Sequence, residues 1–173
     1  GILVQGNSEK VNITNNVVHS DNGAGIRLNS NADNNLIINN TATSITESGI
    51  IVIAGSDGNN LTNNTVYSRS GESLMIRSSE NNFLLNNTAT SVENIGIYLF
   101  DNTNNTLVVN NTANSNNSFG VSLAADVRNS IFINGIFNSS SSSGLMLNRS
   151  SYGNRFIRIN TTGIHGLFIE TSS

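Results

Sequence analysis

The chain repeats itself from end to end with a period of 22 to 24 residues. Each repeat opens on a small residue followed by an aliphatic one: Gly1-Ile2, Gly25-Ile26, Gly49-Ile50, Ser73-Leu74, Gly96-Ile97, Gly120-Val121, Gly144-Leu145 and Gly166-Leu167. Successive openings are 24, 24, 24, 23, 24, 24 and 22 residues apart. A fixed period in this range is the signature of a solenoid, in which a repeat buries its apolar face only by stacking on its neighbours. No Pro-rich or charged linker breaks the period, so residues 1–173 read as one domain.

Within a repeat the apolar residues alternate with period two, which predicts short strands rather than helices. Parity on the first strand turns Ile26/Leu28, Ile50/Val52, Leu74/Ile76, Ile97/Leu99, Val121/Leu123, Leu145/Leu147 and Leu167/Ile169 inward. On the second strand Leu36/Ile38, Phe83/Leu85, Leu107/Val109 and Ile131/Ile133 are expected inside and Ile37, Leu84, Val108 and Phe132 outside, although Ile13 and Leu61 hold the middle position in two repeats. A third strand adds Val18, Ala42, Val66, Ala89, Ala113 and Phe137 to the interior. Three strands per turn describe an all-β, triangular parallel β-helix of about 7–8 coils. Parallel crossovers are right-handed in nearly all cases, and left-handed solenoids usually run on hexapeptides, so a right-handed coil is expected.

Stacking predicts polar columns. Asn16, Asn40, Asn64, Asn87, Asn111 and Asn160 are expected to form an inward ladder, with Gly135 in the sixth repeat, each amide satisfied by the coils above and below. Ser20, Ser44, Ser68, Ser91, Ser115 and Ser139 form a second column.

The recurring form GIxL, NN, an aliphatic run, NNT and a small turn resembles the right-handed parallel β-helix repeats of NosD-like and pectate-lyase-like proteins. The resemblance runs the length of the chain. It implies the fold but no single function, because this superfold hosts lyases, hydrolases, tailspikes, adhesins and surface proteins.

Candidate chemistry is sparse. Lyases of this fold need acidic calcium ligands and a basic residue, and hydrolases need clustered aspartates. Asp33 and Asp57 share a coil position near Glu80, but Lys10, Arg27 and Arg77 lack a dense acidic partner set. The copper binding implied by the NosD resemblance lacks gathered ligands, since His19, His165, Met75 and Met146 are dispersed. No metal site and no cofactor are therefore expected. Thr41-Ala42-Thr43 and Thr88-Ala89-Thr90 resemble ice-binding threonine arrays, which Tyr67 and Asn114 interrupt.

Asn39, Asn63, Asn86 and Asn110 each start an Asn-x-Thr sequon in one column, and Asn12, Asn60, Asn104, Asn116, Asn138, Asn148 and Asn160 start others, so glycans are expected on the outward asparagines. The outward positions of the first strand are unusually apolar: Leu3, Ile51, Met75, Tyr98, Met146 and Phe168, broken by Arg27 and Ser122. Such a stripe on a solvated sheet implies a contact surface.

A net charge of −3 with a single lysine excludes a nucleic-acid footprint, and no apolar run approaches the roughly 20 residues of a membrane span. Cysteine is absent. The chain begins at Gly1 without a basic-then-apolar leader, which fits a processed exported protein or a fragment. It shows no evident end caps, and Ile2, Val4, Leu167 and Ile169 are expected to stack on further copies head to tail. The sequence thus favours a non-enzymatic extracellular protein, a glycosylated subunit of a surface filament, sheath or adhesin. A carbohydrate-binding or carbohydrate-processing β-helix is the alternative, and an ice-binding protein a third reading.

Overall fold

The computed structural model describes residues 1–148 and 150–170. It is a right-handed parallel β-solenoid of about 7 turns with three strands per coil and no helices. Strands such as Ile26–Asn29, Leu36–Ile38 and Thr41–Ser44 are consecutive in the chain, yet each pairs only with the equivalent strands of the coils before and after it. The result is an eight-stranded first sheet and seven-stranded second and third sheets. The register in the first sheet follows the sequence period: Ile2, Ile26, Ile50, Leu74, Ile97, Val121, Leu145 and Leu167 form one row.

The interior is a stack of aliphatic rows. Ile26, Leu28, Ile50, Val52, Leu74, Ile76, Ile97, Leu99, Val121 and Leu123 are fully buried, as are Ala42, Ala89, Ala113 and Phe137 from the third sheet. The second sheet departs from the expected parity. Its strands are three residues long and only the middle one points inward, so Ile13, Ile37, Leu61, Leu84, Val108 and Phe132 are the buried residues. Leu36 and Leu107, expected inside, are exposed. The cause is a sharp corner on either side, which fixes the strand's phase independently of its composition. In the last coil Leu167 and Ile169 are 51% and 60% exposed, whereas Val4 in the first coil is buried.

Those corners explain the asparagine doublets. After the second strand a single residue with φ between +52° and +59° turns the chain: Asn15, Asn39, Asn63, Asn86, Asn110, Asn134 and Arg158. Asparagine visits this left-handed region more readily than other side chains because its short amide bonds locally. The residue after it turns inward. The backbone N–H groups of Asn16, Asn40, Asn64 and Asn87 donate to the Oδ1 atoms of Asn40, Asn64, Asn87 and Asn111 at 2.8–3.0 Å. In return the Nδ2 groups of Asn40, Asn64, Asn87 and Asn111 donate to the carbonyls of Ile13, Ile37, Leu61 and Leu84 in the coil before.

Two details of the ladder differ from expectation. At Gly135 an added Cβ would lie 2.4 Å from the Phe137 ring, so the aromatic occupies the amide's space. Asn160 is not a rung. It pairs with Ile136 at the start of the third strand, which leaves Ile159 in the ladder position.

A second ladder at the corner before the second strand went unrecognised in the sequence. Left-handed Asn34, Gly58 and Asn81 precede buried Asn35, Asn59 and Asn82. The backbone N–H groups of Asn35 and Asn59 donate to the Oδ1 atoms of Asn59 and Asn82 at 2.8 and 2.9 Å. The serine column closes the third corner: Ser68 Oγ donates to the Glu47 carbonyl at 2.6 Å and accepts the Gly71 N–H at 3.0 Å, which ties adjacent turns together. Among the described residues no buried side-chain polar atom lacks a partner.

Candidate functional site

Because core and corners consume the inward positions, any chemistry must lie on the outward ones. The first sheet presents two outward columns. One contains Arg27, Ile51, Met75, Tyr98, Ser122, Met146 and Phe168; the other, two residues further on, contains Ile53, Arg77, Phe100 and Ala124. This face is not a flat solvated sheet. Ile51, Ser122 and Met146 are buried to within 3–6% although they point away from the core.

A trough of about 460 Å³ accounts for part of that burial. Ile51, Ile53 and Met75 form its floor, and the turns Thr46–Ser48 and Ser70–Glu72 border one side. Arg27 bridges the floor and this border through an ion pair with Glu47, and Ser48 donates to Glu72 at 3.3 Å. Further along, the Tyr98 and Phe100 rings stack at 5.1 Å, and the Arg77 guanidinium lies 5.4 Å from the Phe100 centroid. Arg77 Nε donates to Asp101 at 3.2 Å and Ser78 Oγ donates to the same carboxylate oxygen at 3.1 Å. These hydrogen bonds, Arg77's first, hold the Asp101 carboxyl below the usual carboxylate range. Beyond Asp101 a second depression of about 530 Å³ is lined by Asp126, Arg128 and Tyr152. There Asp126 pairs with the Arg128 guanidinium, which lies over the Tyr152 ring and is held above its ordinary pKa chiefly by Asp126.

The other sequence candidates are dispersed. Asp33, Asp57 and Glu80 do stack, but Asp57 N–H donates to Asp33 at 2.8 Å and Glu80 N–H to Asp57 at 2.7 Å, so the column tethers one turn to the next. Among the described residues no group of three or more His, Asp or Glu is placed to hold a metal. His19 lies on the outer third sheet between Thr43 and Asp21, a full rod away from His165 in the last first-sheet strand.

Of the sequon asparagines, Asn39, Asn63, Asn86 and Asn110 are the exposed left-handed corner residues. Asn12, Asn116 and Asn160 are also exposed, and Asn148 is half-buried. Asn60 accepts the Thr62 hydroxyl, Asn104 donates to Glu80, and Asn138 links Asn114 to Thr162. The repeated sequon is therefore a consequence of the corner: a left-handed Asn, a ladder Asn and the first outward Thr of the next strand.

Comparison with known proteins follows this geometry. The chain matches the family described as the right handed beta helix region over residues 1–169, and it belongs to that family. No curated protein matches the sequence. Among solved structures, the periplasmic alginate epimerase AlgG superposes with a TM-score of 0.84 at 22% identity, over 95% of this chain and 42% of that one. A point-substituted form of AlgG gives 0.85 at 23% identity, over 92% and 41%. The A-module of the Azotobacter vinelandii mannuronan C-5 epimerase AlgE4 gives 0.70 at 13% identity, over 95% and 56%. The chain thus spans about two fifths of AlgG and somewhat over half of the AlgE4 module.

These similarities overturn the expectation of a non-enzymatic filament, sheath or adhesin subunit, since the proteins it resembles are carbohydrate-modifying enzymes. The physical reason for the misjudgement is the trough. The apolar outward stripe reads in the sequence as a contact surface, but around Ile51 and Met75 it is bordered by turns and by the Arg27–Glu47 ion pair, whose partners are 20 residues apart.

Proposed function

We propose that this chain is the glycan-binding β-helical part of an exported carbohydrate-processing protein, with the sugar chain lying on the outer face of the first sheet. The observation that carries the reading is the trough itself. Sugars present apolar C–H faces and polar hydroxyl edges; the site matches them with an apolar floor and flanking Arg, Glu and Ser groups, and the stacked Tyr98–Phe100 pair stands next to it on the same sheet. The two depressions lie on either side of the Arg77–Asp101 pair, so a glycan of several residues has consecutive places to sit. The similarity to alginate epimerases supports a carbohydrate ligand, and the periplasmic location of AlgG supports export.

Binding of a panel of acidic and neutral oligosaccharides by calorimetry tests the proposal, with NMR of incubated polymer to detect chemical change. Met75→Asp places a charge on the apolar floor and is expected to weaken binding more than tenfold while leaving the circular dichroism spectrum intact. Absence of binding to every glycan, or equal binding by Met75→Asp, refutes the location.

A further inference from the structure

Most asparagines of this chain are committed to corners and ladders, but one stands in a turn that holds neither its side chain nor the nitrogen after it. The third corner of each coil is closed by a serine hydroxyl. Ser44, Ser68, Ser91, Ser115 and Ser139 each accept, through Oγ, the backbone N–H three residues further on, at 2.8–3.0 Å. In the first coil the equivalent serine is Ser20, paired with Ser44, and the equivalent nitrogen is that of Gly23. Among the described residues no acceptor meets the Gly23 N–H.

Asn22 precedes that nitrogen. It is exposed, and among the described residues no hydrogen bond holds its side chain. Glycine after it adds no side chain to crowd the approach and leaves the backbone free to rotate. A backbone nitrogen attacks the preceding side-chain amide only when the nucleophile is unbound and the two groups can reach each other, and both conditions meet here.

The two nearest comparisons lack one condition each. Asn117-Ser118 occupies the same corner four coils on, but Ser118 N–H is bound to Ser115 Oγ at 2.8 Å and Asn117 N–H donates to the Val92 carbonyl. Asn134-Gly135 repeats the dipeptide in a left-handed corner. There Asn134 N–H is tied to the Ile157 carbonyl, its Nδ2 donates to Asn110 Oδ1 at 3.1 Å, and Gly135 is buried.

We propose that Asn22 is a site of covalent self-modification, converted with water to aspartate and isoaspartate. The Gly23 nitrogen gives its proton to solvent and attacks Asn22 Cγ; the new N–C bond closes a succinimide ring, and the side-chain nitrogen leaves with a solvent proton as ammonia. Water then opens the ring. Cleavage of the new bond gives aspartate, and cleavage at the Asn22 main-chain carbonyl leaves the chain linked through the side chain as isoaspartate. Water is the only co-reactant, and nothing is oxidised or reduced. Either product adds a carboxylate next to Asp21, which pairs with His19 at 2.9 Å.

The test is incubation of the full chain at mildly alkaline pH, followed by peptide mass spectrometry and isoaspartyl methyltransferase labelling. In the folded chain Asn22 is expected to convert about tenfold faster than Asn117 or Asn134, which is roughly what one hydrogen bond restraining the reacting groups is worth. In urea, where the corners are gone, Asn134 is expected to match Asn22. Gly23→Ala places its Cβ at an ordinary 3.5 Å from Ser20 Oγ, so the turn tolerates it; it is expected to slow Asn22 and leave Asn134 unchanged. Equal folded rates at Asn22 and Asn134, a lag of Asn134 that persists in urea, or an Asn22 that stays intact or ignores Gly23→Ala overturns the inference.

Discussion

Replacing Asn64 by leucine tests the ladder where it is most demanding. The Asn64 side chain makes four hydrogen bonds. Its Oδ1 accepts the backbone N–H and the Nδ2 of Asn40, at 2.9 and 3.1 Å, and its Nδ2 donates to the Ile37 carbonyl and Asn87 Oδ1, at 2.7 and 3.0 Å. Leucine fills a similar volume, keeps water out and removes all four. The buried backbone N–H of Asn40 then loses its acceptor, whereas Asn40 Nδ2 keeps the Ile13 carbonyl, and one orphaned buried donor costs about 1–3 kcal/mol. That is a sizeable part of the roughly 5–15 kcal/mol that holds a typical domain folded. Asn16 provides the control, because among the described residues no donor meets its Oδ1 and its own Nδ2 bonds are part-exposed. Asn16→Leu is therefore expected to cost under about 1 kcal/mol net. Urea denaturation followed by circular dichroism measures both. Equal midpoints for the two variants, or an Asn64→Leu midpoint matching the parent, would refute the reasoning that interior amides hold adjacent coils together.

Three further outcomes are expected. Gly96→Ala puts a Cβ 2.6 Å from the Gly120 carbonyl oxygen and 2.9 Å from the Asn114 backbone, so overpacking of about 1–3 kcal/mol should lower its denaturation midpoint; an unchanged midpoint would show that the coils can spread. Gly135→Asn should destabilise through collision with the Phe137 ring, whereas Gly135→Asn combined with Phe137→Ala copies the Asn87/Ala89 arrangement, so a double-mutant cycle should show favourable coupling. For Asp101, hydrogen bonds from Arg77 and then Ser78 depress the folded pKa below the ordinary 3.8. Its contribution is thus fully present above the unfolded value and lost as pH falls through the lower folded one. NMR titration should place the carboxyl midpoint below 3.8, and Arg77→Met should raise it; no change in that variant would remove Arg77 as the cause.

The sequence made the fold legible where residue type and orientation coincide. Ile26 and Leu28 flank an outward Arg27, so the phase of the first sheet is visible in one strand. The second sheet hides its phase because Leu36-Ile37-Ile38 and Ile131-Phe132-Ile133 are apolar throughout, and the left-handed corners rather than hydrophobicity choose the middle residue. Asn12-Ile13-Thr14 and Asn60-Leu61-Thr62 carry the correct phase openly, with polar residues on both sides of a buried one. The doublets Asn39-Asn40 and Asn34-Asn35 are ambiguous for a different reason: a left-handed turn and a buried amide ladder both select asparagine. The trough was less legible still. Its outward column could be read by parity, but its border depends on Arg27 meeting Glu47 and Arg77 meeting Asp101, contacts set by coil stacking.

The strand Leu74–Arg77 shows how this construction leaves room for a site. Its inward pair, Leu74 and Ile76, is as fully buried as in neighbouring coils, so the core is undisturbed. Both of its ends nevertheless depart from the repeat. Ser73 stands where neighbouring coils have glycine and donates its hydroxyl to the Val66 carbonyl at 2.8 Å, and Ser78 alone makes the turn that other coils make with two residues. Neither departure improves burial of the core. Met75 and Arg77 keep the columns of Ile51 and Ile53, so the departures alter only the turns on either side of them while the ladders at the corners keep their register. In a solenoid whose stability resides in inward columns, a coil irregular at both strand ends but regular inside has its physical explanation on the outer face.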